Sequence, residues 1–312
     1  MTLQQIHYAL EIVSCGSMNK AAGKLYISQP TLTSAIKEME NELDITLFHR
    51  YSKGVSLTPE GKEFLDQARQ LYQQYELLMD QYGESKQVKQ KFAVSTQHYS
   101  FAVKAFADTI RRYDTLNYEF AIRETKTHEV IEDVAFGKSE IGILYRSTFN
   151  RRMIDKLLYE SRLEFHPLAE CMAYVYLHKG HPLAKETQIS FAQLADYPCL
   201  SFEQGDTGSA FLAEEILSDR VYDRTITVND RATMLNLMIA SDGYTLCSGI
   251  ICEELNGGEY KAVPFHADEE NPNDTMQIGY IMKKGSRLNR IGEIYIGELK
   301  KYLQEHTGAA AE

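Results

Sequence analysis

Gln29, Thr33 and Lys37 recur at four-residue intervals, with Ser28, Pro30, Thr31 and Ser34 beside them. That spacing lines them along one face of a helix. Amides and hydroxyls on an exposed helical face can hydrogen-bond base edges, and a glutamine can make two such bonds to adenine. The other face of the stretch is apolar, with Leu32, Ile36, Met39 and Leu43 spaced four, three and four apart. The pattern predicts a helix held by its underside, with a polar ridge outward for double-stranded DNA. The competing reading is an ordinary helical hairpin with a solvated polar face.

The neighbouring residues supply the support such a ridge needs. Residues 17–36 read as two short helices and a tight turn. Ser17 caps the first, Ala21 and Ala22 are small enough for a close crossing, and the turn runs through Tyr26 and Ile27. Ser28 caps the second helix, and Pro30 sits in its first turn, where a missing N–H costs nothing. The result is a helix-turn-helix. Ser17, Met18, Asn19 and Lys20 open its supporting helix and join the DNA-facing set. A preceding helix over residues 2–14 packs a stripe of Leu3, Ile6, Leu10 and Val13 against it. A two-stranded wing follows, Leu47 to Arg50 and Val55 to Leu57, with Lys53-Gly54 at the turn. Arg50 and Lys53 are its candidates for a groove or phosphate, against a solvated hairpin tip.

Thr58-Pro59 then opens a long helix to about Gly83. Phe64, Ala68, Leu71, Tyr75, Leu78 and Tyr82 fall at alternating spacings of four and three, a heptad seam that asks for a partner helix. The alternative is packing against its own domain. Self-association into a homodimer supplies a second recognition helix about 34 Å away.

Glu84 to Lys91 is polar, lacks apolar periodicity and reads as a hinge. Beyond it strands and helices alternate, including helices over 98–113, 209–217 and 286–305 and strands over 163–167 and 172–177. This implies mixed or mostly parallel sheets covered by helices. Ligands of open α/β sheets bind at the carboxyl ends of strands. That rule names Ser95, Thr96, Gln97, Thr125, Lys126 and Tyr145 from one half, and Ser201, Phe202, Glu203, Cys247 and Ser248 from the other. Helix caps and turns would use the same residue types. An acid at Glu203 disfavours a dianion and suits an amine.

Several motifs occur in order over about sixty residues: Gly16-Ser17, Ala21-Ala22, Ser28-Gln29-Pro30-Thr31-Leu32-Thr33, Leu47-Phe48-His49-Arg50 and Leu57-Thr58-Pro59-Glu60-Gly61. Together they resemble the amino-terminal domain of LysR-type transcriptional regulators. The resemblance implies an α/β chain. It has a winged helix-turn-helix over 1–58 and a linker helix and hinge over 59–89. A two-lobed effector domain, resembling type 2 periplasmic binding proteins, follows over 90–312. Lobe I would take about 90–162 and 267–305, lobe II about 163–266. A small-molecule effector would sit between the lobes, and Ser95, Thr96 and Thr125 carry that expectation best. The family further implies a homodimer assembling to a homotetramer.

Composition sets the remaining bounds. With 312 residues, 44% hydrophobic and 25% charged, the chain has ample material for a core. No apolar run approaches the roughly 20 residues of a membrane helix, and the amino terminus lacks a basic leader, so a cytoplasmic location without membrane contact is expected. The net charge is −11, and residues 1–89 carry nine Lys and Arg against eleven Asp and Glu. Few phosphate contacts per copy then mean that several copies share one site. Five cysteines (Cys15, Cys171, Cys199, Cys247, Cys252) form no C-x-x-C pair and read as buried thiols. Peroxide-sensing relatives use a cysteine pair in the effector domain, but Cys199 has no partner within the next forty residues. His178 and His181 lack a third ligand, so neither metal nor cofactor is expected. No P-loop, G-x-S-x-G, G-x-G-x-x-G or H-E-x-x-H is present, which argues against an enzyme. The alternative function is a small-molecule-binding module whose helical front end recruits a protein.

Overall fold

The computed structural model describes residues 1–51, 54–82, 89–113, 117–205, 209–269 and 272–307. Lys53, most of the expected hinge, and the side chains of Arg50 and Tyr82 lie outside the described residues. The chain forms two compact units, Met1–Val88 and Lys89–Glu312.

In the first unit, helix α1 (Leu3–Cys15) begins with a reciprocal cap between Thr2 and Gln5 and ends at Gly16, whose φ of 62° suits glycine. Helix α2 (Met18–Lys24) turns through Tyr26, at φ 56°, into helix α3 (Gln29–Leu43). Ser28 Oγ accepts from Thr31 N at 3.2 Å and caps α3. Strands β1 (Phe48–Tyr51) and β2 (Gly54–Leu57) form an antiparallel wing, with Phe48 opposite Leu57. Helix α4 (Pro59–Tyr82) follows, capped by Thr58 Oγ1, which accepts from Gly61 N at 2.8 Å.

The core corrects three expectations. The deepest face of α1 is Ile6, Ala9 and Ile12, while Leu3, Leu10 and Val13 flank it half-buried. Ala9 is small and fully buried, which allows a close helix crossing there. Met18, expected at the DNA-facing end, is 8% exposed and packs in this core. Ala68, expected in the dimer seam, is buried with Leu65 against its own unit, and Phe64 packs partly there. The first turns of α4 are therefore core.

The second unit contains two mixed sheets. The first has the order β4-β3-β5-β13-β6. Strands β3 (Gln90–Thr96), β4 (Tyr118–Glu124) and β5 (Ile141–Arg146) run parallel, connected through helices α5 (Ser100–Arg112) and α6 (Thr127–Ala135). Helix α7 (Arg151–Glu160), which the sequence pattern did not suggest, leads to β6 (Leu163–Met172). The second sheet has the order β10-β9-β11-β7-β12-β8. Its strands are β7 (Tyr174–His178), β8 (Ile189–Ser190), β9 (Cys199–Phe202), β10 (Thr225–Val228), β11 (Tyr244–Cys247) and β12 (Tyr260–His266). Short helix α8 (Phe191–Leu194), α9 (Arg231–Ser241) and short α10 (Glu253–Asn256) connect them. Strand β13 (Thr275–Lys283) and helix α11 (Arg290–Thr307) return to the first sheet.

Two boundaries differ from expectation. Strand β6 pairs antiparallel with β13 along its whole length, from Leu163 opposite Lys283 to Met172 opposite Thr275. Residues 163–172 therefore belong to the first sheet rather than the second lobe. The helix expected over 209–217 is only a 3-10 turn at Ala210–Leu212. Beyond it Leu217 has φ 62°, and the Glu214 and Glu215 side chains bond to other elements, so the segment gains more from those contacts than from helical periodicity.

The chain passes between the sheets at Ala173 and again between His266 and Thr275. Ala173 N donates to Asn273 Oδ1 at 3.1 Å, and Ala173 O accepts from Phe265 N at 3.1 Å, so the two crossings are bonded to each other. One apolar cluster, including Phe92, Ile143, Val175, Leu246 and Tyr295, extends through both sheets.

One glycine fixes how α4 meets the wing. A Cβ at Gly61 would lie 2.2 Å from Leu47 O and 2.8 Å from Leu47 Cα. Leu47 is buried, and its carbonyl already accepts from Thr58 N at 3.0 Å, so the backbone has no room to yield. Gly61→Ala should cost the first unit about 1–3 kcal/mol, read as a lower melting temperature of that unit in thermal unfolding.

Candidate functional site

Two surfaces carry polar side chains on rigid supports. The first is the outer face of α3. Leu32, Ile36 and Met39 on its underside have no solvent exposure. Gln29, Pro30, Thr31, Ser34 and Lys37 are exposed and Thr33 is half-buried. Gln29 Nε2 donates to Thr33 Oγ1 at 2.9 Å, and the hydroxyls of Ser28 and Thr31 lie 2.7 Å apart. These bonds hold the ridge's side chains in defined directions. Asn19 and Lys20 are exposed at the start of α2 and Ser17 is half-buried. Tyr26, not assigned from sequence, is 96% exposed at the turn. The acidic residues are partly diverted: Glu40 Oε1 accepts from Leu47 N at 2.7 Å, and Glu11 pairs with Lys24 at 2.6 Å.

The second surface is a cleft in the other unit, enclosing roughly 600 Å³ with its open mouth. His98, Tyr99 and Ser100 border it from the β3–α5 connection of the first sheet. Tyr176, Phe202, Arg231, Met234 and residues 245–248 border it from the second. Glu214 and Glu215 also line it.

Of the residues the strand-end rule named, Phe202, Cys247 and Ser248 stand on the cleft wall. The others are occupied elsewhere. Ser95 is fully buried, donating to Asp133 Oδ2 at 2.6 Å with Ser139 Oγ 2.8 Å away. Thr96 Oγ1 donates to the Gln97 carbonyl. Gln97 donates to Thr127 Oγ1 at 2.6 Å and accepts from Tyr99 OH and Tyr145 N. Thr125 bonds to Glu129. Lys126 pairs with Glu203 at 3.4 Å, and Tyr145 OH donates to Glu215 O at 2.9 Å, each joining the two lobes. Ser201 is half-buried in β9 and does not line the cleft. The register explains the shift: His98 lies one residue beyond the last position the rule selected.

His98 is the centre of the arrangement. Glu214 Oε2 accepts from His98 N at 2.7 Å and lies 2.9 Å from its Nδ1. The imidazole stacks on Phe202, centroids 3.9 Å apart and planes 8° from parallel. Gln204 Nε2 donates to Glu214 Oε1 at 2.9 Å, while Gln204 Oε1 accepts from Thr127 N at 3.0 Å. Arg231 Nη1 donates to Asn256 at 3.0 Å, and Nη2 pairs with Glu124 across the lobes. Sequence reasoning missed Glu214 and Glu215 because their segment read as a helix. It missed Arg231 because a basic residue opening a helix carries no signal.

Glu215 differs from its neighbour. Its Oε1 accepts from Phe202 N at 2.8 Å, while Oε2 has no hydrogen-bond partner among the described residues. Burial, and then the charge of Glu214, push its carboxyl up to about 8. Burial likewise pushes the thiols of Cys171, Cys199 and Cys247 up to about 12, which keeps them as unreactive thiols near neutral pH. His178 and His181 are engaged within their own loop: His178 Nδ1 accepts from Gly180 N and His181 Nδ1 from Leu183 N.

The raised Glu215 has a definite sign for stability. The folded chain keeps its proton to about pH 8, whereas the unfolded chain releases it above the ordinary value of 4.5. Its contribution to stability therefore falls as pH rises from about 4.5 to about 8, by an amount on the order of 5 kcal/mol. Glu215→Gln should flatten this stretch of the pH–stability profile and gain stability over the parent at pH 8, as read by chemical denaturation.

Comparison with known proteins identifies the domain of each unit. The family described as bacterial regulatory helix-turn-helix protein, lysR family, matches residues 3–62, and the LysR substrate binding domain matches residues 92–304. The chain is 27% identical over 294 residues to the uncharacterised HTH-type transcriptional regulator YbhD of Escherichia coli, covering 92% of this chain and 87% of that protein. YcgK of Bacillus subtilis, another uncharacterised HTH-type transcriptional regulator, is 39% identical over 87 residues, 28% of this chain and 27% of its own. A full-length OxyR variant from Pseudomonas aeruginosa has the same fold at a TM-score of 0.65 and 18% identity, covering 97% of this chain and 95% of its own. With a helix-turn-helix in front and the substrate-binding domain spanning most of the rest, this chain belongs to the LysR family of DNA-binding transcriptional regulators.

Proposed function

We propose that α3 reads base edges in the major groove through Gln29, Thr31, Thr33 and Ser34. Lys20 and Lys37 take phosphates, and a small molecule in the cleft sets the regulatory state. The observation that carries this reading is the division of α3: a wholly buried apolar underside and a polar ridge that is bonded internally yet exposed. The chain acts by binding rather than turnover, in the cytoplasm where its DNA partner lies. Among the described residues no helix is long and apolar enough to cross a membrane.

The distal half of α4 supports self-association. Leu71, Leu78 and Met79 are 51%, 57% and 49% exposed, on a helix whose first turns are already committed to the core. Exposed apolar residues continuing a heptad seam favour a partner helix. The dimerisation set is then Leu71, Tyr75 and Leu78, and two dimers on one site give a homotetramer.

Two measurements test the reading. Gln29→Ala should weaken binding to a selected operator fragment by about 1–3 kcal/mol while leaving binding to random duplex nearly unchanged. Equal losses on both, in gel shifts at matched salt, would remove the base-reading role. Leu78→Glu should shift the chain toward monomer in sedimentation velocity and weaken operator binding along with it. An unchanged assembly state would exclude this face of α4 as the interface.

A further inference from the structure

Two polar atoms of the cleft have no counterpart. Glu215 Oε2 and Arg231 Nε are buried, and neither has a hydrogen-bond partner among the described residues. Both side chains line the same cleft. Glu215 is only 7% exposed, and its other oxygen is already taken by Phe202 N. Arg231 pairs with Glu124 through Nη2 and donates to Asn256 through Nη1, while its Nε has no partner among the described residues. Buried polar groups are ordinarily paired, so each orphan specifies the group it needs. Arg231 Nε needs an acceptor, and Glu215 Oε2, once ionised, needs a donor. The wall around them is apolar and aromatic, with Phe202, Leu246 and Ile250 among its residues.

We propose that the cleft binds a zwitterionic amphiphile of the amino-acid class. Its ammonium group donates to Glu215 Oε2, its carboxylate accepts from Arg231 Nε, and its apolar body lies against Phe202. This rests on the cleft being the effector site. A simple carboxylate ligand would bring its negative charge beside Glu214, and a simple amine would leave the arginine donor unmet.

The ionisation of Glu215 supports the same class. Glu214 beside it supplies like charge, and His98 approaches that neighbour at 2.9 Å. Tyr99, Tyr145, Tyr222 and Cys199 also feel the Glu215 charge, and burial raises all four so that they stay neutral. An arriving ammonium reverses the pressure on the carboxyl. Below about pH 8, Glu215 passes its proton to solvent as the ammonium–carboxylate pair forms, so affinity rises with pH.

The test uses the full chain in isothermal titration calorimetry with three probes: L-phenylalanine, 2-phenylethylamine and 3-phenylpropionate. Phenylalanine should bind most tightly and 3-phenylpropionate at least about tenfold more weakly, the loss expected for a hydrogen bond between charged groups. At pH 7, heats in two buffers of different ionisation enthalpy should show proton release on phenylalanine binding. Glu215→Gln should weaken phenylalanine about tenfold and abolish that release. Arg231→Gln should weaken phenylalanine but not 2-phenylethylamine. The proposal is overturned if 3-phenylpropionate binds as well as phenylalanine, if Glu215→Gln leaves phenylalanine affinity unchanged, or if neither ammonium probe binds at millimolar concentration. The location is judged separately with Ser248→Phe, which fills the cleft, or Met234→Trp should the first fail to fold. A probe whose binding survives filling refutes the cleft as the site. Preferential 3-phenylpropionate binding that filling abolishes refutes only the amino-acid assignment.

Discussion

The carboxylate of Glu214 is the contact on which the cleft depends. It accepts from the backbone N of His98, approaches the ring of the same residue, and accepts from Gln204, which in turn accepts from the first amide of α6. One buried acid therefore joins a segment of the second lobe to the regions where two helices of the first sheet begin. Anionic groups are stabilised near helix starts, where amides are unpaired and the dipole is positive. The arrangement also orients the imidazole so that it lies flat on Phe202. Removing the acid would leave three donors to find new partners in a place with little water, a cost larger than the bonds are worth singly.

At the other end of the chain the governing constraint is apolar. Alanines at positions 9, 21 and 22 let three helices cross closely, and α3 is pinned by Leu32, Ile36 and Met39. Its polar ridge is outward because nothing apolar is left on that face. The slightly acidic balance of this region is less of an obstacle than its count suggests. Glu40 is turned inward onto the amides that open the wing, Glu11 is paired with Lys24, and Glu42 bonds the amino terminus, while Lys20 and Lys37 stay exposed. Acid charges that serve caps and pairs contribute less repulsion at the duplex than free ones.

Periodicity made most of the architecture legible, and the failures have physical causes. The spacing of Leu32, Ile36 and Met39 was read correctly because a buried helical face must repeat near 3.6 residues. Ala68 fitted the seam equally well, but a heptad pattern does not say whether the partner is another chain or the domain itself. Residues 209–217 looked helical because local propensity cannot foresee that Glu214 and Glu215 will bond elements far away in sequence. The strand-end rule found the neighbourhood of the cleft, yet Ser95, Thr96 and Gln97 turned out to be its internal scaffolding, and His98 its surface. Side chains alternate across a strand and then leave it, so an error of one residue exchanges a supporting role for a lining one.

Regulation by such a cleft requires a ligand to prefer one arrangement of the lobes, since equal affinity for two states shifts nothing. The ties across the lobes here are of two kinds. Lys126–Glu203 is partly exposed, and pairs of that kind contribute little. Glu214 with His98, and Tyr145 OH with Glu215 O, are buried and directional. The second kind sets how the walls meet, and it shares His98, Glu214 and Glu215 with the cleft lining. Glu215 presents its carbonyl to Tyr145 and lines the cleft, so a ligand bound there would act on a residue already holding the lobes together.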